Sequence, residues 1–224
     1  MSQPNFESTS IQVLEKNELY WVINKPAGLA VHNGPLNLID LLEKQVGERF
    51  HPVHRLDRET SGLILLARGS KATALLQKTL SSENSKKEYL AIIRGQITNG
   101  GKWTMPISSK AEGRQNPAGK NKERVTALTQ YEVLDHNQWL SLISCTLHTG
   151  RQHQIRKHAA LAKHHIIGDK RYGDPKYVKM ITKRYQFSGL ALHAQRLSFH
   201  LKGKDQTFEA PMPSSWHCFE LNPS

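Results

Sequence analysis

Cysteine is scarce in this chain. Only Cys145 and Cys218 occur in 224 residues, which excludes a disulfide framework and a thiol-built structural zinc site. Both are expected to be buried thiols in a reducing compartment, the cytoplasm. Long apolar runs are missing: none reaches the ~18 residues of a membrane span. Met1 to Ser10 is polar and lacks a signal-peptide core. There is no internal repeat, low-complexity stretch or long Pro/Gly/Ser linker, so no domain boundary is forced and a single domain over residues 1–224 is expected. Nucleotide and cofactor signatures are also missing. Gly95 to Lys102 falls short of a phosphate-binding loop, with Trp103 where the hydroxyl residue belongs. Neither Gly-x-Gly-x-x-Gly nor Gly-x-Ser-x-Gly occurs. His-Glu-x-x-His is absent, and His153 and His158, five apart, lie ~140° apart around a helix. No cofactor and no metal are therefore expected.

Negative charge is in short supply. Nineteen Asp and Glu stand against 31 Lys and Arg, a formal charge of +12 and a pI near 9.8. A chain this basic attracts polyanions, of which nucleic acid is the commonest in a cytoplasm. The composition is otherwise that of a globule, 38% hydrophobic and 22% charged, long enough to bury a core without cross-links.

Periodicity predicts strands over Leu19–Asn24, Gly62–Ala67, Tyr89–Arg94, Val125–Leu134, Trp139–Leu147, Leu190–Leu201 and Gln206–Ala210. Helices are predicted over Leu36–Val46, over Ser70–Leu80 with Ser70 as the cap and Ala72, Leu75, Leu76 and Leu80 inward, and over Arg151–Ala162. Several connections are too short for a helical crossover, which favours antiparallel pairing. The class is α+β with a mixed, mostly antiparallel sheet flanked by helices.

Five segments carry chemistry. In His54-Arg55-Leu56-Asp57-Arg58-Glu59-Thr60-Ser61-Gly62 a charged loop feeds an apolar strand. A carboxylate flanked by Arg55 and Arg58 is held ionised, fit to act as nucleophile or base, or else to sit in a solvated salt-bridged turn. His148 to His158 places Gln152 and Arg156 on one helical face, able to hold a phosphate or a carboxylate from elsewhere in the fold. Lys86-Lys87-Glu88-Tyr89 combines cations with an aromatic ring suited to base stacking, or to a core. Lys110 to Arg124 reads as a mobile basic loop. In Lys176 to Phe187, Lys176, Lys179, Lys183 and Arg184 interleave with Tyr177, Tyr185 and Phe187, which suits RNA backbone plus exposed bases, or an amphipathic helix.

Together and in this order the segments resemble pseudouridine synthases of the RluA type. The resemblance rests on Asn24-Lys25-Pro26-Ala27-Gly28, His54 to Gly62, Lys87-Glu88-Tyr89-Leu90-Ala91, Thr149 to His158, Ile167-Gly168-Asp169 with Leu192-His193-Ala194, and Phe208-Glu209-Ala210-Pro211. It spans about residues 11–216. It implies a catalytic domain with an extended sheet, isomerising uridine in ribosomal or transfer RNA after base flipping, without cofactor or metal. Asp57 matches the catalytic aspartate. Tyr89 matches the residue that stacks on the target base and aids proton transfer at C5, and Arg156 the arginine that pairs with the aspartate. Arg55 matches the arginine filling the space of the flipped nucleotide. Arg58, Lys87, Arg151, Lys183 and Arg184 are further expected RNA contacts. Only 24 residues precede Lys25, too few for the S4-type domain of many relatives, so a compact and monomeric member is expected. A non-catalytic RNA-binding protein on the same fold is the alternative.

Overall fold

The computed structural model describes residues 11–221. They group into two compact units. One holds the chain up to Lys87 with Ala194–Pro211, the other Glu88–His193 with the chain from Met212 onward.

The first unit contains β1 (Gln12–Lys16), β2 (Tyr20–Lys25), α1 (Leu38–Val46), β3 (His51–Pro52), β4 (Ser61–Ala67), α2 (Gly69–Leu80), most of β11 (Leu192–Leu201) and β12 (Lys204–Glu209). The strand order is β1-β2-β4-β11, with β3 on β4 and β12 on β11. Asn17 closes the first hairpin, its Oδ1 accepting the Leu19 and Tyr20 N–H groups. β2 pairs antiparallel with β4, from Tyr20 opposite Ala67 to Lys25 opposite Gly62. All seven residues of β4 are buried, as expected of a strand covered on both faces. Tyr20, Phe199 and Phe208 pack as a ring cluster 6.0–6.1 Å apart.

Helix α1 buries Leu38, Ile39, Leu41 and Leu42. It starts where Asn37 accepts from the Asp40 N–H and stops at left-handed Gly47, as capping rules require. Helix α2 departs from expectation. It begins at Gly69 after Arg68, without a side-chain cap, so Ser70 lies inside it. Leu75 is exposed, while Ala72, Leu76 and Leu80 are buried.

The second unit contains most of β5 (Lys86–Arg94), β6 (Gly101–Trp103), β7 (Ile107–Ser108), β8 (Arg124–Val125), β9 (Thr129–His136), β10 (Leu140–Leu147), α3 (Gln154–Leu161) and α4 (Pro175–Tyr185). Strands β5-β10-β9-β6 are neighbours in that order, and β7 pairs with β8 apart from them. Every ladder with a described register is antiparallel. The expected strand Val125–Leu134 is therefore two elements. Its first residue, Val125, ends β8 and pairs with Ile107 of β7, and the backbone re-enters a ladder only at Thr129. Helix α4 is capped by Asp174 and opens on Pro175. Among the described residues no helix is long and apolar enough to cross a membrane.

The two cysteines differ. Cys145 is buried on β10, and burial drives its thiol pKa well above the usual range. Cys218 is exposed in the closing 3-10 turn, against expectation. It faces solvent because Trp216 and Phe219 supply the buried side of that turn.

Candidate active site

In the first unit the Asp57 loop is stitched to the Lys-Pro turn. Lys25 is 0% exposed. Its ammonium donates to the carbonyls of Leu29 at 2.7 Å, Pro26 at 2.9 Å and Arg58 at 3.2 Å. Gly28, at φ +89°, donates its N–H to the Arg58 carbonyl at 2.8 Å, and the Arg58 Nε returns a bond to the Gly28 carbonyl at 2.9 Å. Burial pulls the Lys25 pKa down to about 7, against the attraction of the Asp57 and Glu59 carboxylates. A buried ammonium thus lies within the electrostatic reach of Asp57.

Asp57 is half-buried. Its carbonyl accepts the Thr60 N–H at 3.1 Å, closing the turn that leads into β4. The Thr60 hydroxyl is buried with no hydrogen-bond partner among the described residues. Gly62 follows at φ +105°, and a Cβ there would lie 2.2 Å from the Ala194 carbonyl oxygen. Only glycine tolerates both that angle and that approach. On the other flank the His54 Nε2 accepts the Leu65 N–H at 2.9 Å. The residue is half-buried, and desolvation, reinforced by the Lys87 charge, lowers its pKa to about 4. An imidazole accepting at Nε2 is neutral.

In the second unit helix α3 buries the whole of Gln154–Ala160, charges included. Arg156, 3% exposed, directs Nε and Nη2 at the two oxygens of Asp169, at 2.9 and 3.0 Å. This is the bidentate fork that guanidinium and carboxylate favour. Asp169 also accepts the backbone N–H groups of Arg171 at 2.9 Å and Tyr172 at 3.0 Å. Burial opposes its ionisation, but these donors outweigh it and hold the carboxyl below the usual range. Gly168 fixes the approach, since a Cβ there would lie 1.8 Å from the Gly189 carbonyl oxygen. The Tyr172 hydroxyl meets His153 Nδ1 at 2.9 Å, and the Arg156 guanidinium lies 5.5 Å from the Tyr172 ring centre. Gln154 ties the helix start to the sheet through the Thr149 hydroxyl, the Leu128 carbonyl and the Thr129 hydroxyl. The alternative of a carboxylate from elsewhere in the fold, raised for the Arg156 face, is met by Asp169. Gln152 precedes the helix and does not share that face, because α3 starts at Gln154.

Tyr89 is buried on β5, opposite Cys145 in the β5–β10 register. Lys87 is half-buried and donates to the Leu80 carbonyl at 3.3 Å. Arg55, Arg58, Arg151, Lys183 and Arg184 are exposed. On α4 the cations face solvent but the aromatics do not serve as a row of open rings. Tyr177 lies beneath the Arg94 guanidinium at 4.4 Å. Tyr185 and Phe187 pack on Phe219 at 5.0 and 5.1 Å. Nor is the Lys110 to Arg124 stretch a loose loop, since bonds from Lys157 and Arg171 fasten its first half. Sequence reasoning quoted Lys25 and Asp169 within motifs but gave neither a role. The signal for Asp169 was a lone carboxylate after an apolar-Gly pair, Ile167-Gly168. Among the described residues no group of three or more His, Cys, Asp or Glu could hold a metal ion.

The chain is 32% identical over 208 residues to tRNA pseudouridine synthase C of Pasteurella multocida, covering 85% of this chain and 86% of that one. It is 34% identical over 220 residues to ribosomal large subunit pseudouridine synthase D of Xanthomonas campestris, covering 91% of this chain and 66% of that protein. The solved structure of human RNA pseudouridylate synthase domain containing 4 superposes with a TM-score of 0.77 at 26% identity, covering 95% of this chain and 94% of that one. The model of the RNA pseudouridylate synthase family matches residues 19–161, a span that includes the Lys25 turn, the Asp57 loop, Tyr89 and Arg156. The chain belongs to the RNA pseudouridylate synthase family.

Proposed function

We propose that this protein isomerises uridine to pseudouridine within a folded RNA, with Asp57 as the catalytic carboxylate. The observation that carries the reading is the Asp57 turn itself. A half-buried carboxylate is set between a turn bond to Thr60 and the field of the buried Lys25 ammonium. That setting places the carboxylate within reach of a cationic group, an arrangement that suits a nucleophile or base. The reaction breaks the N1–C1′ bond, turns the base and joins C5 to C1′. N1 gains a proton and C5 loses one, so atoms and oxidation state are conserved and no co-reactant is consumed. Tyr89 is assigned to stacking on the base and to the C5 proton, and Arg156 to orienting charge. A stacked uridine must first be flipped out, at a cost of a few kcal/mol. Arg55 is assigned to the space it leaves, and the exposed cations, with a net charge of +12, to the phosphates.

Transfer RNA is the substrate we favour. Relatives named for tRNA match over most of both chains, 92% of this chain and 93% of the Haemophilus ducreyi protein in one case. Large-subunit ribosomal RNA is the second reading, supported by identities of 34–35% to synthases named for it. The test is single-turnover conversion of unmodified tRNA and ribosomal RNA transcripts at saturating enzyme, with Asp57→Asn beside the parent. The variant is expected to form no pseudouridine and to bind RNA within a few fold of the parent. Substantial conversion by Asp57→Asn overturns the assignment.

A further inference from the structure

The residue after Arg156 is also a buried cation, and it turns to a different partner. Lys157 is 0% exposed. Its ammonium donates to the Ser108 carbonyl at 2.8 Å, the Ser108 hydroxyl at 3.4 Å and the Lys110 carbonyl at 2.5 Å. The Ser108 hydroxyl passes its own hydrogen to Glu112 Oε1 at 2.6 Å. Gly119 closes over this point so tightly that a Cβ would lie 2.7 Å from both Glu112 Oε1 and Ser108 Cβ. Arg171 adds bonds from Nη1 to the Glu112 carbonyl at 2.9 Å and the Ala111 carbonyl at 3.3 Å. Arg114 returns one to the Gly173 carbonyl at 3.2 Å. Above this root the stretch from β7 into β8 exposes Arg114, Lys120, Lys122 and, at the start of β8, Arg124. The Arg171 N–H rests on Asp169, the carboxylate that holds Arg156.

Desolvating an ammonium is costly unless its bonds are well made, and here the carbonyls of Ser108 and Lys110 supply such bonds at the root of the β7–β8 loop, tying that root to α3. We infer that Lys157 is a positioning residue for RNA binding, fixing the root of the β7–β8 loop so that its exposed cations stand in register with RNA phosphates. One turn of α3 then sets both Arg156 and the loop. The inference rests on the proposed reading of this protein as an RNA-modifying enzyme.

The experiment is a double-mutant cycle in the full-length protein with an unmodified tRNA transcript as the probe. Lys157→Met is combined with the loop pair Lys120→Ala and Lys122→Ala, and binding is measured across a salt series. Each lost phosphate contact lowers the slope of log affinity against log salt by ~0.7–0.9. Lys157→Met is expected to weaken binding ~10-fold and to lower the slope by at least one contact. The loop pair should cost a similar factor in the parent but little more beside Lys157→Met, because groups acting as a unit are not additive. In turnover the KM should rise ~10-fold, with a smaller fall in kcat, the pattern of lost uniform binding. Full additivity, an unchanged salt slope, or a loss confined to kcat overturns the inference. Should Lys157→Met melt without a cooperative transition, Ser108→Ala with Glu112→Gln removes the hydroxyl bridge and keeps the lysine. It is expected to shift affinity and slope in the same direction, and no shift overturns the inference. A parent that binds RNA but forms no pseudouridine defeats the proposed activity while the binding cycle still decides Lys157. A parent that binds neither tRNA nor ribosomal RNA defeats both.

Discussion

Arg156 and Asp169 form a bidentate pair sealed from solvent, 3% and 1% exposed, with the two bonds at 2.9 and 3.0 Å. Removing one partner of such a pair leaves a buried charge uncompensated, at about 3–5 kcal/mol. Asp169→Asn should therefore lower the melting temperature by many degrees and slow turnover through misplacement of Arg156. The carboxyl pKa is depressed in the folded state. Its contribution is thus present above the unfolded value of ~3.9 and is lost as pH falls through the folded value. Denaturant midpoints of the parent should fall below about pH 4, and part of that slope should vanish in Asp169→Asn. Equal slopes in the two proteins would show that the pair does not couple to acid unfolding.

His54 supplies a second acid sensitivity. Its folded pKa of about 4 lies below the unfolded ~6.5. Between these values the unfolded chain binds the additional proton, so stability is full above about 6.5 and declines toward pH 4. His54→Gln, which can still accept the Leu65 N–H, should flatten this decline. Urea midpoints at pH 4.5, 5.5 and 7 read the difference directly, and identical profiles would remove His54 from the linkage.

The Thr60 hydroxyl offers a test with opposite signs. A buried hydroxyl without a partner is costly, and valine has nearly its shape. Thr60→Val should raise stability by about 1 kcal/mol. If turnover falls while stability rises, the hydroxyl serves the bound RNA. If stability falls instead, the hydroxyl has a partner after all.

Tyr89→Phe keeps the ring and removes the hydroxyl. RNA affinity should be near that of the parent, with conversion slowed or stalled. Tyr89→Leu should also lose stacking, worth ~1–3 kcal/mol per base. Parent-like conversion by Tyr89→Phe would leave Tyr89 as a platform without a chemical role.

On α4, Lys183→Ala with Arg184→Ala should weaken binding to all RNAs about equally and lower the salt slope by ~0.7–0.9 per lost contact. An unchanged slope would remove both residues from the interface.

The sheet was legible wherever local sequence decides. Leu63-Ile64-Leu65-Leu66 announces β4, and its burial on every residue follows. The apolar stripe Leu38, Ile39, Leu41, Leu42 and Val46 announces α1; the first four are buried, but Val46, in the last turn beside the Gly47 stop, is exposed. The start of α2 was not legible as Ser70, because left-handed Gly69 (φ +82°) turns the chain into the helix without a cap. The α3 segment misled more. Arg156, Lys157 and His158 are polar in sequence and would suit a solvated face. They are buried because their partners arrive from distant segments: Asp169 for Arg156, Ser108 and Lys110 for Lys157, and Met105 and Thr129 for His158. No periodicity within α3 encodes those partners. The Asp57 motif was legible as an unusual charged loop, but the buried Lys25 beneath it was visible only in three dimensions.

The fastening of the β7–β8 loop has a consequence for how such a protein could change its RNA. Lys157 and Arg171 hold it mainly by main-chain carbonyls, those of Ser108, Lys110, Ala111 and Glu112. A main-chain oxygen is present whatever side chain it carries. Apart from Ser108, Glu112, Arg114, Gly119 and the buried Ala118, the loop can be rewritten residue by residue without loosening its socket. On the proposed reading of this loop as an RNA contact, recognition can drift, or be grafted from another sequence, while the arginine one residue away on α3 keeps its aim.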